Sequence, residues 1–234
     1  MGTLRAGLIG LGMMGRHHAR NLQNLEGVEL VAVADTSGDV SNVCPGMPIL
    51  ENIDQLIDTG LDYCVVALPT VNHLEAGLKL AEAGVHALIE KPLALDQESC
   101  LKLAEAFGNK GLIAGVGHIE RYNPAIQELK AKLKRGDLGK IYQVTTRRQG
   151  PYPARIADVG VIKDLASHDF DLTRWITGSK YSTMSANVIN RSTRSYEDMM
   201  VATGLLKNNV ITSHVVNWLT PNKERRTVVT GERG

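Results

Sequence analysis

One stretch of this sequence places a histidine among carboxylates at helical spacing. Asp164 and His168 are four residues apart in a segment predicted to be a helix, and Asp171 is three residues further on. Side chains at this spacing share one helix face. An unperturbed histidine has a pKa of about 6.5, so it can take a hydroxyl proton at neutral pH, and a nearby aspartate orients its ring. The stretch is therefore a candidate for acid–base chemistry. The alternative is an ordinary surface pair.

A lysine is the second candidate for chemistry. Glu90-Lys91-Pro92 follows the apolar run 86–89, at the carboxyl edge of a predicted parallel sheet, where open α/β folds bind ligands. Proline restricts Lys91 to extended geometry and permits a cis peptide, and either feature fixes the direction of the ammonium group. The alternative is a solvated lysine at a strand end. A metal site is disfavoured, because no third His or Cys accompanies Asp164 and His168 at ligand spacing.

A glycine turn near the N-terminus indicates the kind of ligand beside which these groups could act. The apolar run 4–9 opens into Gly10-x-Gly12-x-x-Gly15, and a second strand-like run ends at Asp35. In this pattern the first glycine permits a tight strand-to-helix turn, the second lets the backbone approach a pyrophosphate, and the third allows close packing of helix on sheet. The helix N-terminus then favours the anion. The pattern predicts a dinucleotide site.

Asp35 predicts NAD rather than NADP. Its spacing from Gly15 suits a carboxylate that binds the adenosine ribose hydroxyls, and the same carboxylate repels a 2′-phosphate. The run Asp35-Thr36-Ser37 offers no arginine for that phosphate. The predicted cofactor-binding residues are Gly10, Leu11, Gly12, Met13, Met14, Gly15, Asp35, Pro69, Thr70, Asn72, His73, Glu90 and Lys91.

The segment Pro69-Thr70-Val71-Asn72-His73 follows a buried strand at the same sheet edge. It can line the nicotinamide end of the groove. Equally, Thr70 or Asn72 can cap the following helix, a role that both residue types fill well. The two interpretations are compatible.

Composition limits the class of protein. The 234 residues are 43% apolar and 22% charged, with a net charge of +1, which is typical of a globular protein and provides no field for nucleic acid or an anionic membrane. No apolar stretch reaches the roughly 18 residues that span a bilayer, and the N-terminus lacks a signal-peptide pattern. Cys44, Cys64 and Cys100 are widely spaced, which suits reduced thiols. We expect a cytoplasmic protein.

Hydrophobic patterning predicts two domains. In the first, apolar runs at 4–9, 29–34, 62–68, 86–89 and 112–117 alternate with helical patterns near 13–24, 52–58, 71–83 and 96–108. This alternation predicts a doubly wound parallel sheet of the Rossmann type over residues 1–120.

Beyond residue 120 the order of predicted strands and helices changes. Helices near 124–135 and 164–177 accompany strand-like stretches at 141–148, 181–190, 197–206, 211–219 and 225–230. Strands in succession predict an α+β domain with a mainly antiparallel sheet over residues 121–234. The sequence stops just after a strand, so we expect either a truncated or a naturally short chain whose sheet edge needs a cover.

Together these motifs resemble the glucose-fructose oxidoreductase, inositol dehydrogenase and MocA (Gfo/Idh/MocA) family. The resemblance implies that Lys91, Asp164 and His168 form the catalytic set. It also implies a Rossmann domain followed by an open-faced sheet domain, whose free face makes the contact in a homo-oligomer.

A second likeness is to UDP-N-acetylglucosamine 3-dehydrogenases, in three stretches: 117–124, 147–160 and 216–221. The diphosphate of a nucleotide sugar needs cations, and the stretches supply Arg121, Arg147, Arg148 and Arg155. Arg147 and Arg148 are adjacent on a predicted strand, so at most one reaches a given pocket. The predicted substrate-binding residues are Arg121, Tyr122, Asn123, Arg147, Arg155 and Asp171.

The sequence thus predicts an NAD-dependent oxidoreductase that oxidises a secondary hydroxyl of a sugar, at C3 of a UDP-N-acetylhexosamine. In this hypothesis His168 removes the hydroxyl proton and Lys91 stabilises the developing alkoxide, so the two side chains must act on one substrate. One alternative is a dehydrogenase or reductase of a free polyol or keto-sugar. The other is a regulator that binds NAD without chemistry. Neither nucleic acid nor membrane is an expected partner.

Overall fold

The computed structural model describes residues 2–154, 156, 159–192 and 195–234. The chain forms two compact units that meet in sequence between Gly117 and His118, here called unit 1 and unit 2. The described helices include none with the length and apolar character needed to cross a membrane.

Unit 1 is built on six parallel strands in the order β3-β2-β1-β4-β5-β6. The strands are β1 Leu4–Ile9, β2 Val28–Ala34, β3 Ile49–Leu50, β4 Tyr63–Val66, β5 His86–Ile89 and β6 Ala114–Val116. The helices are α1 Met13–Asn24, α2 Ile53–Ile57, α3 His73–Glu82 and α4 Gln97–Asn109, with a 3₁₀ turn at Thr70–Asn72. The strand order reverses between β1 and β4, and open α/β sheets bind ligands at such a point.

Local chemistry explains the helix positions in unit 1. Asn52 caps α2 by accepting a hydrogen bond from the Gln55 amide, and Asp96 caps α4 through Ser99. Between α3 and α4, a Cβ on Gly77 would lie 2.5 Å from Leu103 Cδ2, so only glycine allows these helices to pack this closely. The predicted Rossmann architecture is confirmed; the short strand β3 was not predicted.

Unit 2 contains a five-stranded sheet in the order β11-β7-β10-β9-β8. Its strands are β7 Ile141–Pro151, β8 Tyr181–Ile189, β9 Met199–Leu206, β10 Ile211–Asn217 and β11 Leu219–Gly231. Its helices are α5 Pro124–Arg135 and α6 Ser167–Thr177, with a 3₁₀ turn at Ile119–Tyr122 and a π-helical turn at Ile162–Ala166. β7 and β10 pair in parallel and the other three pairs are antiparallel, so the sheet is mainly antiparallel, as predicted.

One face of the unit 2 sheet packs against helices. Val144 of β7 and Leu206 of β9 form a core with Leu172 and Ile176 of α6, and α5 packs onto this core. Because side chains alternate along a strand, Arg147 of β7 points to the opposite face. We call that opposite face the open face, and it also carries Thr145, Val201, Val215 and Val228.

Candidate active site

The turn after β1 needs glycine at two places for steric reasons. Gly10 has a φ of 92°, and a Cβ there would lie 2.6 Å from the Ala67 carbonyl oxygen. A Cβ on Gly15 would lie 1.8 Å from the Gly10 carbonyl oxygen. At these two positions β1, α1 and the residue after β4 lie too close together for a side chain. The first and third glycines therefore have the roles that the spacing predicted.

Gly12 differs, because a Cβ there would meet nothing within 4 Å. The absence of a side chain leaves the backbone open to a ligand. Gly12 is also the N-cap of α1, and none of the described side chains caps the helix. The amide groups of its first turn thus remain available to an anion, which the helix dipole favours. These features fit the pyrophosphate of a dinucleotide.

Asp35 ties the glycine turn to the end of β2. Its Oδ2 accepts a hydrogen bond from the Leu11 amide at 2.6 Å, and its Oδ1 accepts one from the Ser37 amide at 2.7 Å. Each carboxylate oxygen keeps a second lone pair, so the group can still accept from a ribose hydroxyl.

A cavity of about 490 Å³ lies beside this carboxylate. Five of the predicted cofactor residues line it: Gly10, Gly12, Asp35, Pro69 and Asn72. Among the described lining residues, the charged ones are all acidic, Asp35, Glu51 and Glu75. A 2′-phosphate would face carboxylates without a cation, so the cavity fits NAD better than NADP.

Sequence reasoning missed one wall of this cavity. Glu51 and Asn52 lie between β3 and α2 and line the cavity together with Ile53, the first residue of α2. Glu75 and Ala76 of α3 also line it. The only signal was the apolar pair Ile49-Leu50, which is too short to identify as a strand from the sequence alone.

The other predicted cofactor residues of the glycine turn, and Thr70, are not among the described residues that line the cavity. Leu11, Gly15 and Thr70 are buried, Met14 is half-buried and Met13 is exposed. Thr70 begins the 3₁₀ turn before α3.

Lys91 is half-buried just beyond β5, and the Lys91–Pro92 peptide is cis. The buried Glu90 side chain supports the Lys91 backbone and connects it to α1. Glu90 Oε2 accepts a hydrogen bond from the Lys91 amide at 3.2 Å, and Oε1 lies 2.7 Å from Nε2 of His18 on α1. Glu90 therefore links the lysine backbone to α1.

His73 holds the other side of the same loop. Its ring is 1% exposed, with Nδ1 2.9 Å from the Pro92 carbonyl oxygen and Nε2 2.9 Å from the Leu68 carbonyl oxygen. The ring thus lies between two backbone segments behind the sheet edge.

In unit 2, Asp164 and His168 are buried, with 5% and 9% of their surfaces exposed. Their burial excludes the ordinary surface pair. The predicted single helix instead begins as a π-helical turn that contains Asp164 and continues as α6 with His168. π-Helical turns are frequent at functional sites.

Glu197 supports the start of the π-helical turn. Its carboxylate accepts a hydrogen bond from the Ile162 amide at 3.1 Å, and its backbone carbonyl accepts one from Val161 at 3.0 Å. A Cβ on Gly160 would lie 2.1 Å from the carboxylate carbon, so glycine makes room for this contact. Nothing in the sequence linked Glu197 to Asp164.

A buried ion triad holds α6 against the sheet. Arg148 of β7 donates to Asp169 at 2.9 Å and to Glu120 at 2.8 Å. Burial raises the pKa of Asp169 and outweighs the Arg148 charge. Burial also raises the pKa of Glu120, but there the Arg148 charge and hydrogen bond prevail, so its pKa is lowered. The triad fixes the residue next to His168.

The predicted substrate residues are mostly engaged within unit 2. Arg121 forms a two-pronged ion pair with Asp171, whose carboxylate also lies 3.7 Å from His118 Nδ1. Asn123 caps α5 by accepting from the Ala125 amide at 3.1 Å.

Three further predicted substrate residues differ in placement. Tyr122 is exposed. Arg147 lies on the open face, 3.8 Å from Glu224, so it is directed away from α6 and cannot reach a pocket beside that helix. Arg155 lies outside the described residues.

A buried histidine completes the polar interior of unit 2. His214 of β10 contacts the Thr146 hydroxyl at 2.7 Å and the Tyr181 hydroxyl at 2.8 Å. Burial lowers the pKa of His214 to about 4 and raises that of Tyr181 to about 12. Among the described residues, no group of three or more His, Cys, Asp or Glu side chains is arranged to hold a metal ion.

Comparison with protein families matches both units. Residues 4–118 match the oxidoreductase family with an NAD-binding Rossmann fold, and residues 126–234 match the GFO/IDH/MocA C-terminal domain.

Two curated relatives carry different substrate names. One, the scyllo-inositol 2-dehydrogenase (NAD(+)) of Bacillus subtilis strain 168, is 31% identical over 79% of this chain and 57% of its own length. The other, the UDP-N-acetylglucosamine 3-dehydrogenase of Acidithiobacillus ferrooxidans, is 33% identical over 76% of this chain and 55% of its own length. The chain thus spans little more than half the length of these relatives.

A solved structure shares the fold. GenD2 from gentamicin A biosynthesis, crystallised in complex with NAD, superimposes with a TM-score of 0.90 at 24% identity, over 100% of this chain and 71% of the GenD2 chain.

Proposed function

The chain belongs to the Gfo/Idh/MocA oxidoreductase family, and from this we propose that it oxidises a secondary hydroxyl of a sugar or polyol with NAD. The observation that carries the proposal is the turn at Gly12, where an open backbone and a helix N-terminus lie near the carboxylate of Asp35. That arrangement suits a dinucleotide without a 2′-phosphate.

Three residues of this chain take part in the proposed reaction. NAD, when bound, supplies the acceptor for a hydride. His168 accepts the proton of the substrate hydroxyl, and Asp164 orients its ring. Lys91 donates a charge-assisted hydrogen bond to the same oxygen and stabilises the negative charge that develops there.

For the substrate, the finer proposal is C3 of a UDP-N-acetylhexosamine. The resemblance of three sequence stretches and a relative of that name support it. A free polyol or keto-sugar is the second candidate. The ion pairs of Arg121 and the buried Arg148 favour it, because these cations are already neutralised by carboxylates and a diphosphate would have to displace them.

A substrate panel separates these candidates. NADH formation is measured with UDP-N-acetylglucosamine, myo-inositol, scyllo-inositol and simple aldoses. Turnover of the nucleotide sugar alone supports the finer proposal, and turnover of inositols or aldoses alone supports the second candidate. NADH binding without turnover of any of them would support a non-catalytic regulator.

Replacement of Lys91 by Met tests the catalytic proposal. We expect kcat to fall about 10²- to 10³-fold, because the oxygen loses its charged donor, while the variant still binds NADH. Lys102→Met is the matched control, since Lys102 pairs with Glu98 on the surface of α4. Full turnover in Lys91→Met would refute the role of this lysine.

We also propose a cytoplasmic homo-oligomer that associates through the open face of unit 2. Exposed or half-buried Val201, Val215 and Val228 on that face support the contact. Sedimentation equilibrium of the wild type and of Val215→Lys tests it: the variant should dissociate, and a monomeric wild type would contradict the proposal.

A further inference from the structure

His73 joins two backbone segments with different roles. The Leu68 carbonyl belongs to the segment whose Leu68 and Pro69 line the NAD-fitting cavity. The Pro92 carbonyl follows Lys91 by one residue. Each carbonyl oxygen is 2.9 Å from a different nitrogen of the same ring. One side chain therefore contacts both the cavity segment and the lysine segment.

The surroundings of the His73 ring indicate that the loss of either contact would change the local structure. The ring is buried at the start of α3, a helix that packs on the sheet and on α4. Leu68 and Pro92 are half-buried, and a carbonyl in such surroundings that loses its partner is no longer held in place by the ring. A change at either ring nitrogen should thus disturb the segment on that side first.

We propose that His73 is a positioning residue that holds Lys91 through the Pro92 carbonyl and shapes the cofactor cavity through the Leu68 carbonyl. This inference rests on the proposed function, because it assigns His73 its effect through the catalytic lysine. On the opposite side, Glu90 holds the Lys91 amide. Lys91 is thus supported from α1 and from α3.

Two substitutions separate the contacts. The amide nitrogen of asparagine reaches the position of the histidine Nδ1, and that of glutamine reaches the position of Nε2. Both ring nitrogens can donate to the two carbonyls only when each carries a proton, because a neutral imidazole has one N–H. His73→Asn therefore keeps a donor at the Nδ1 position, toward Pro92, and places none at the Nε2 position, toward Leu68. His73→Gln does the reverse.

We expect each of the two variants to lower a different quantity, either NADH affinity or kcat. In His73→Asn, NADH affinity should fall about tenfold with kcat close to wild type. In His73→Gln, kcat should fall about tenfold with NADH affinity close to wild type. His86→Gln is the control, because His86 lies at the other end of β5 and its ring accepts a hydrogen bond from the Ile113 amide, away from Lys91 and the cavity. Equal losses of both quantities in both variants, or no loss in either, would overturn the proposal.

A readout independent of turnover distinguishes this inference from the proposed function. Lysines are reductively methylated with ¹³C, and the Lys91 resonance is assigned by its loss in Lys91→Met. The resonance should move in His73→Gln and stay in His73→Asn. If the wild type oxidises no sugar, the proposed function fails and this resonance still decides the role of His73. An unmoved resonance in both variants would contradict that role.

Discussion

The two units hold their candidate catalytic residues by different means. In unit 1 the glycine turn and Lys91 are fixed through main-chain groups: the glycines pack closely, and backbone amides and carbonyls bond the side chains of Asp35, Glu90 and His73. In unit 2 the segment around His168 is fixed by buried side-chain charges, with Arg148 between Asp169 and Glu120. Sites built from the main chain leave a pattern of glycines and spacings. Sites built from buried charges leave no local pattern in the sequence, because the paired residues are far apart along the chain.

Replacement of Arg148 should reduce the stability of unit 2 more than any other substitution considered. Arg148→Met should lower the free energy of unfolding by about 3–5 kcal/mol, because the buried Asp169 and the partly buried Glu120 lose their partner. Arg147→Met, on the open face, should change it by less than about 0.5 kcal/mol. Both tryptophans, Trp175 and Trp218, lie in unit 2, so urea unfolding followed by tryptophan fluorescence reports on this unit. Equal effects of the two substitutions would show that the triad does not stabilise unit 2.

A buried histidine should make the stability of unit 2 depend on pH. Burial lowers the pKa of His214 from 6.5 in the unfolded chain to about 4 in the fold. Between these values the unfolded chain binds a proton that the fold does not, so the contribution is complete above the unfolded pKa and is lost as pH falls toward the folded one. The loss amounts to about 3 kcal/mol for unit 2.

His214→Gln provides the control for this pH dependence. The variant lacks the titrating ring but keeps the triad, so its stability should change less between pH 7 and pH 4 than that of the wild type. Tryptophan-monitored urea curves at several pH values measure the difference. Parallel pH profiles of wild type and variant would exclude His214 as the cause.

The smallest effect on folding tests the main-chain site of unit 1. Gly12→Ala adds a methyl group that meets nothing within 4 Å, so stability should change by less than about 1 kcal/mol. The methyl would stand where the backbone must approach a pyrophosphate, so NADH affinity should fall at least about tenfold. Fluorescence titration with NADH measures it.

Gly10→Ala is the matching change within the same turn. Its methyl would meet the Ala67 carbonyl at 2.6 Å with a φ of 92°, so the fold itself should lose stability. Unchanged NADH affinity in Gly12→Ala would mean that no ligand approaches this backbone.

The sequence predicted the elements whose signals are local. Strand β5 at His86–Ile89 and helix α5 at Pro124–Arg135 have the predicted bounds, because apolar runs and a proline-led helix start mark them. The parallel pairing of β7 with β10 was not predicted, since it joins strands separated by the π-helical turn, helix α6 and two other strands. The π-helical turn also escaped prediction, because Glu197, which supports it, is distant in sequence.

The candidate site shows the same limit. Asp35 and the three glycines were readable from spacing alone. Burial, by contrast, decided the roles of the arginines: Arg148 forms ion pairs inside unit 2, whereas its neighbour Arg147 points to the open face. Alternation along the strand predicted that the two diverge, but the prediction assigned Arg147 to the substrate, whereas Arg148 is the one that contacts α6.

Transfer of deuterium from substrate to cofactor tests the central claim most directly. The protein is incubated with NAD and with inositols or UDP-N-acetylglucosamine deuterated at the ring carbons that carry secondary hydroxyls, and the nicotinamide product is examined by mass spectrometry and NMR. The account predicts deuterium at nicotinamide C4 together with a ketone in the sugar. A protein that binds NADH but transfers no deuterium from any of these substrates would contradict it.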